Sequence, residues 1–161
     1  MTSAELARVQ LLTPVQAAAL TSFLEARDQP VMGIVAVLSV IRNRARIRHK
    51  EWTDICFAPY QFSCWNATDP QSHLGLVLAE GWLSGLPFPD HADIIVLEVC
   101  TYLAGRIADG QVPDPTHGAT HYHTTTMVPP TWARPPAVAT TTIGRHRFYR
   151  GVRPFVEPHH A

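Results

Sequence analysis

The chain nearly lacks lysine: Lys50 is the single one among 13 basic residues, and the rest are arginine. It also lacks net charge, because 13 acidic residues balance the basic ones. Zero net charge argues against a nucleic-acid binder that relies on bulk charge, since counterion release needs a clear cationic excess. No stretch is apolar for long enough to span a bilayer. No apolar run follows a basic start, so the chain reads as having no secretory signal. Cysteine is sparse and odd in number, at 56, 64 and 100. That count fits free thiols in a reducing compartment, with a Cys56–Cys64 bridge left open if the protein acts outside a cell. There is no internal repeat, and no cofactor is expected.

What remains is enough for one domain with a real core, at 161 residues. The first twelve residues read as a short, partly ordered lead-in, 13–153 as the domain, and 154–161 as a loose tail that includes His159-His160. Thr13-Pro14-Val15-Gln16 is a helix start, with an N-cap threonine, proline at the first helical position and glutamine closing a capping box. Val15, Ala18, Ala19, Ser22 and Phe23 continue at helical spacing. Asp28-Gln29-Pro30 breaks this helix, and Asp28 is placed to cap the next. Val31, Ile34, Val35, Leu38 and Ile41 form the apolar stripe of that second helix. Asn43 near its end reads equally as a surface amide or as a bond to the loop that carries Glu25.

Trp52 to Phe57 predicts a helical turn, and Tyr60 to Asn66 a loop or short strand. Pro70 to Leu83 and His91 to Ala108 predict two more helices, stopped by Ser84-Gly85-Pro87 and by Asp109-Gly110 with Pro113. The last is expected to turn Ile94, Ile95, Leu97, Val99, Tyr102 and Leu103 mostly inward. The texture then changes. Thr120–Thr126 and Thr140–Tyr149 alternate with β-type residues, separated by prolines 129, 130, 135 and 136. The fold class expected is α+β: a mainly helical domain with a small antiparallel hairpin or sheet in the C-terminal third.

Four clusters carry the chemistry. Glu25 ends the first long helix in Phe23-Leu24-Glu25-Ala26-Arg27, nearly free of other charge. It is followed by Gln61-Phe62-Ser63-Cys64-Trp65-Asn66, by Asp114-Pro115-Thr116-His117-Gly118-Ala119, and by Ile143-Gly144-Arg145-His146-Arg147-Phe148-Tyr149. The negative end of a helix dipole and apolar surroundings both disfavour an ionised carboxylate. That is the setting for an acid that hands a proton to a glycosidic oxygen.

In this order, and with Ile41-Arg42-Asn43-Arg44 between the first two, the clusters resemble the cell-wall hydrolase family of the spore-cortex-lytic SleB type, which also supplies phage lysins. Its members run Glu-Ala-Arg-Gly-Glu-Pro, Val-x-Asn-Arg, Gln-Phe-Ser, Asp-x-Thr-x-Gly-Ala and Ile-Gly-x-His-x-Phe-Tyr. The likeness covers roughly residues 20 to 150, and departs at Asp28-Gln29, where the family has Gly-Glu. It implies a lysozyme-like domain acting on peptidoglycan, between N-acetylmuramic acid and N-acetylglucosamine, as lytic transglycosylase or muramidase. Glu25 is then the general acid/base.

Candidate substrate-binding residues are Gln61, Ser63, Thr116, Tyr122, Trp132 and His146. Gln61 and Ser63 offer hydrogen bonds to sugars, Tyr122 a phenol to orient Glu25 or an N-acetyl group, and Trp132 an apolar platform. Phe62 is assigned to the core, and Trp65 to either core or sugar stacking. Glycosidases usually use two carboxylates, and only Glu25 is well placed. The substrate's own C6 hydroxyl would then serve as nucleophile.

The rival reading is a zinc-dependent amidase: His117, His121 and His123 read as His-x-x-x-His-x-His, and the last two, on one strand face, would bind zinc with a third ligand such as His146 or Asp114. No HExxH helix supports it. A non-catalytic wall-binding module is the third. Arg42, Arg44, Arg46 and Arg48, and Arg145, Arg147, Arg150 and Arg153, read first as solvated faces and second as a means of steering to an anionic wall polymer. The expected partner is peptidoglycan, with no nucleic acid and no membrane insertion. The expected state is a monomer made in the cytoplasm, and its arginine bias favours a phage lysin over a spore enzyme.

Overall fold

The computed structural model describes residues 1–86, 88 and 94–153. Six helices and three strands follow in chain order among these residues: α1 Ser3–Val9, α2 Pro14–Ala26, α3 Val31–Arg48, α4 Trp52–Phe57, α5 Gln71–Ser84, α6 Ile94–Ala108, β1 His121–Thr124, β2 Val138–Ile143 and β3 His146–Arg150. The architecture is the expected one, a mainly helical α+β domain with a small antiparallel sheet near its C-terminal end.

α2 is the axis of the molecule. Its start is the capping box read from the sequence: the Gln16 amide donates to Thr13 Oγ1 at 3.2 Å, and the Thr13 amide donates to Gln16 Oε1 at 2.9 Å. The helix is not one-sided, because every residue from 17 to 26 except Glu25 is buried. Ala17, Ala18 and Ala19 let neighbours approach on several sides. The two polar residues in this run bond within their own helix. Thr21 Oγ1 donates to the Ala17 carbonyl at 2.8 Å, and Ser22 Oγ to that of Ala19 at 2.9 Å. A polar group buried without such a partner costs about 1–3 kcal/mol. The half-buried carboxyl of Glu25 therefore stands out as the one polar group of this segment that faces an opening.

The opening residues differ from the expected lead-in. Thr2 and Glu5 form a second capping box, and Val9 and Leu12 are buried in the main core. Arg8 clamps Glu80 of α5 through two 2.9 Å bonds. The tail at 154–161, with His159-His160, lies outside the described residues, as do Pro87 and the start of the fourth expected helix at His91. That helix, α6, buries Leu97, Cys100, Ala104 and Ile107. Ile95 and Tyr102, expected inward, are 68% and 64% exposed. The spacing of the buried set follows a stripe through small residues, which hydrophobicity alone did not rank.

The two expected strands are three, in the order β1–β3–β2, all antiparallel. Gly144 and Arg145 make a turn inside the segment read as one strand. Gly144 has φ +57, and a Cβ there would crowd Gln29 Oε1. The positive φ is what favours glycine here. Alternation gives the sheet two faces. Tyr122 pairs with Phe148 and Thr124 with His146 on the inner face. Phe148 there packs with Ala36 and Val40 of α3. His121, His123 and Tyr149 occupy the outer face.

Candidate active site

Glu25 occupies the last turn of α2 and lines a cavity of about 370 Å³. Three donors converge on its carboxyl. The Tyr122 hydroxyl donates to Oε2 at 2.7 Å, the Cys64 amide to Oε1 at 3.1 Å, and Ser63 Oγ lies 3.5 Å from Oε1. The three come from the second and third parts of the chain, brought in by the 62–66 loop and by β1. Burial, and after it the Glu25 carboxyl, pushes the Tyr122 phenol well above its ordinary range. It therefore remains a protonated donor.

His146 sits across from Tyr122 on the adjacent strand, with ring centroids 4.8 Å apart, and it also lines the cavity. It is 5% exposed, and its Nδ1 has no hydrogen-bond partner. Burial holds the imidazole below its ordinary range, against the opposing pull of Glu25, so the ring is neutral at pH 7. A neutral buried ring with a free nitrogen is suited to receive a polar group from a bound ligand.

The rim of the cavity is a clamp between the α2–α3 loop and the β2–β3 turn. Arg145 Nη2 pairs with Asp28 Oδ2, and the Arg145 amide donates to Gln29 Oε1 at 2.9 Å. Asp28 is thus not a helix cap. α3 begins after Pro30 with no side-chain cap bond, and the carboxylate faces Arg145 instead. Arg27 lies with its guanidinium carbon 5.2 Å from the Phe23 ring.

The other expected substrate contacts are placed elsewhere. Thr116 is fully buried, and its amide and hydroxyl donate to Asp114 Oδ1 at 2.7 and 2.6 Å. Thr116 therefore holds a loop and is sealed from any sugar. Asp114 also accepts from Gly118 N at 2.9 Å and from Asn43 Nδ2 at 2.8 Å. Asn43 is accordingly neither a surface amide nor a partner of the Glu25 loop. Gln61 faces the arginines of α3: its side-chain oxygen accepts from Arg48 at 2.9 Å and its carbonyl from Arg44 at 3.0 Å. Trp132 packs on the outer face of the sheet against His121, His123 and Tyr149, with centroids 5.2, 5.9 and 5.6 Å away. That face is turned away from the Tyr122 side. Phe62 and Trp65 are both buried, Trp65 with its Nε1 donating to Thr21 Oγ1 at 3.0 Å.

Sequence reasoning missed Gln71, Thr124, Thr126 and Arg145, all of which line the Glu25 cavity. Thr124 was within reach, because it lies two residues after Tyr122 on a strand. Arg145 stands inside the Ile143–Tyr149 motif, where the sequence shows it only as one of a run of arginines.

Among the described residues no three His, Cys, Asp or Glu side chains are grouped to hold a metal ion. The sheet explains why the histidine set does not fit. His146 is on the inner face and His123 on the outer. Both His123 nitrogens are engaged, Nδ1 with the Thr124 carbonyl at 2.8 Å and Nε2 with the Tyr149 hydroxyl at 3.1 Å. The cysteines are free and buried. Burial raises the Cys56 thiol to about 12, and burial, reinforced by Glu25, raises that of Cys64 well above its ordinary range.

Comparison with known proteins agrees with this architecture. Two solved structures superpose with TM-score 0.57: the catalytic domain of the Bacillus cereus SleB protein, at 22% identity over 85% of this chain and 89% of that one, and the catalytic domain of the germination-specific lytic transglycosylase SleB from Bacillus anthracis, at 21% identity over 85% and 93%. At that identity the likeness is one of fold. No curated protein sequence matches the chain. The family model described as Cell Wall Hydrolase matches residues 28–149 and so begins three residues after Glu25. It spans the Gln61, Asp114 and Gly144 clusters and most of the helical core, and the chain belongs to the cell wall hydrolase family.

Proposed function

We propose that the protein cleaves the glycan strand of peptidoglycan between N-acetylmuramic acid and N-acetylglucosamine, with Glu25 as general acid and then base. The observation that carries this reading is the convergence of Tyr122, Ser63 and the Cys64 amide on one carboxyl at the wall of a cavity. A carboxyl held by donors from separate elements has a fixed direction, which proton transfer to a bound oxygen requires.

The reaction proposed is lytic transglycosylation. The other carboxylate lining the cavity among the described residues, Asp28, is paired with Arg145. It is therefore a poor candidate for the nucleophile of a two-carboxylate mechanism. Glu25 donates its proton to the leaving glycosidic oxygen as the bond to the muramic-acid C1 breaks. The C6 hydroxyl of the same sugar then bonds to C1 and gives its proton to the Glu25 carboxylate. The products are a 1,6-anhydro sugar end and a free hydroxyl, and Glu25 regains its starting proton without water. Host-wall lysis by a phage is the setting we favour, on the arginine bias of the composition.

Digestion of purified peptidoglycan with wild type and Glu25→Gln, followed by mass analysis, tests this. Anhydro-muropeptides are expected with wild type and absent with the variant. New reducing ends would mean hydrolysis instead. Freed stem peptides lost on chelation would overturn the reading in favour of an amidase, and binding without cleavage in favour of a wall-binding module.

A further inference from the structure

A second cavity, of about 540 Å³, lies beyond the outer side of β1, between the end of α3, the approach to that strand and the segment that leaves β3. Four arginines line it: Arg44 and Arg48 from α3, Arg150 from β3, and Arg153 after it. Among the described residues no acidic side chain lines it. In a chain with zero formal net charge, this is a local excess of four cations.

The arginines are only partly explained by the fold. Arg44 is structural. It is 6% exposed, and it donates from Nε to the Thr120 carbonyl at 2.6 Å and from Nη1 to that of Gln61 at 3.0 Å, with its guanidinium carbon 4.7 Å from the Phe62 ring. Carbonyls satisfy its donors without neutralising its charge. Burial, and Arg48 beside it, lower the group only to about 10, so it stays cationic at neutral pH. Arg48 bonds to the neutral Gln61 side chain. Arg150 and Arg153 are exposed and make no ion pair among the described residues. His121, which also lines the cavity, is held down at about 4 by burial first and then by Arg44 and Arg48. It is therefore a neutral wall of the cavity, and the charge comes from the guanidinium groups.

We infer that this cavity binds a phosphate-bearing polymer, a polyol phosphodiester chain of the kind an anionic cell wall presents. Guanidinium forks match the tetrahedral oxygens of phosphate in bidentate geometry, and they keep their charge at any physiological pH. Four cations in one cavity call for several negative charges on one ligand, and a phosphodiester chain supplies one per repeat. A water's share of liquid volume is about 30 Å³, so the space takes far more than one hydrated ion. The site would hold the protein on its wall while the Glu25 cavity, on the other side of β1, works on the glycan. The inference does not depend on Glu25 chemistry.

The test is direct binding of a glycerol-phosphate hexamer to the full chain by calorimetry at several salt concentrations, with inorganic phosphate and hexaglutamate as comparison ligands. Arg150→Ala/Arg153→Ala, two exposed positions, is expected to fold as wild type and to weaken hexamer binding by on the order of tenfold. The slope of log affinity against log salt should fall by about two, one per cation removed. Arg46→Ala, on the same helix but outside the cavity, is expected to bind within about twofold of wild type. The inference is overturned if the hexamer does not bind at low salt, if the double variant binds it as wild type does, or if Arg46→Ala loses as much. It is equally overturned if hexaglutamate binds as tightly, or if inorganic phosphate competes at equal phosphate concentration.

Discussion

Tyr122 and Glu25 lie 97 positions apart in the chain and meet through a 2.7 Å hydrogen bond. The phenol is buried against Phe148 and His146 on the inner face of the sheet, and the carboxyl closes the most buried helix of the molecule. The bond therefore joins the sheet to the helical core at the point where we propose that a proton is transferred.

Removing that phenol should change chemistry more than folding. In Tyr122→Phe the ring keeps its packing, and Glu25 loses its shortest orienting contact. Glycan cleavage is expected to fall by roughly tenfold to a hundredfold in kcat, below the roughly 10²–10⁴-fold attributed to a whole general acid. KM should change little. Steady-state turnover of a defined glycan, with thermal melts of both proteins, checks the split.

The Arg145–Asp28 pair makes the opposite kind of prediction. Both side chains are more than half exposed, and exposed pairs contribute about 0–1 kcal/mol. Arg145→Ala should leave the melting temperature within a few degrees of wild type. Because Arg145 lines the Glu25 cavity and anchors the α2–α3 loop through Gln29, KM should rise several-fold. A large loss of stability with unchanged KM would contradict this.

Asp114 links stability to pH. Burial pushes its carboxyl up, but the bonds from Thr116, Asn43 and Gly118 outweigh burial and hold it below the usual carboxylate range. A carboxyl depressed in the folded state stabilises fully above its unfolded value, about 3.9. That stabilisation is lost as pH falls through the folded value. Asp114→Asn points an amide at donors and should cost on the order of 2 kcal/mol at pH 7. Denaturant melts from pH 7 to pH 2 should show the gap to wild type narrowing as the wild-type carboxyl protonates.

Gly75 is where α5 touches α2. A Cβ there would lie 2.7 Å from Leu24 Cδ1 and 2.8 Å from Trp65 Cζ3. Gly75→Ala overpacks a buried contact, which typically costs about 1–3 kcal/mol. Leu24 precedes Glu25 and lines its cavity, so activity should fall along with the melting temperature. Calorimetric scanning beside a cleavage assay tests the coupling.

Local chemistry alone determined several features of this protein. Thr13, Pro14 and Gln16 specify a helix start by hydrogen bonds within four residues, and that helix forms as read. The ordered motifs pointed to the family and to Glu25, because residue types at fixed spacing survive without knowledge of contacts. The β-type alternation after residue 120 located the sheet, although the Gly144 turn split one expected strand into two.

Only the tertiary structure decided which polar residues face the opening. Thr116 and Trp132 carry the right groups for a sugar site, yet one is sealed over Asp114 and the other covers the outer face of the sheet. Arg145 looked like part of a solvated run and became the rim of the Glu25 cavity. Orientation of this kind depends on which strand face packs against α3 and on where a two-residue turn reverses the chain. Those are long-range packing outcomes: one side chain's surroundings are set by residues a hundred positions away, and no local pattern carries that information.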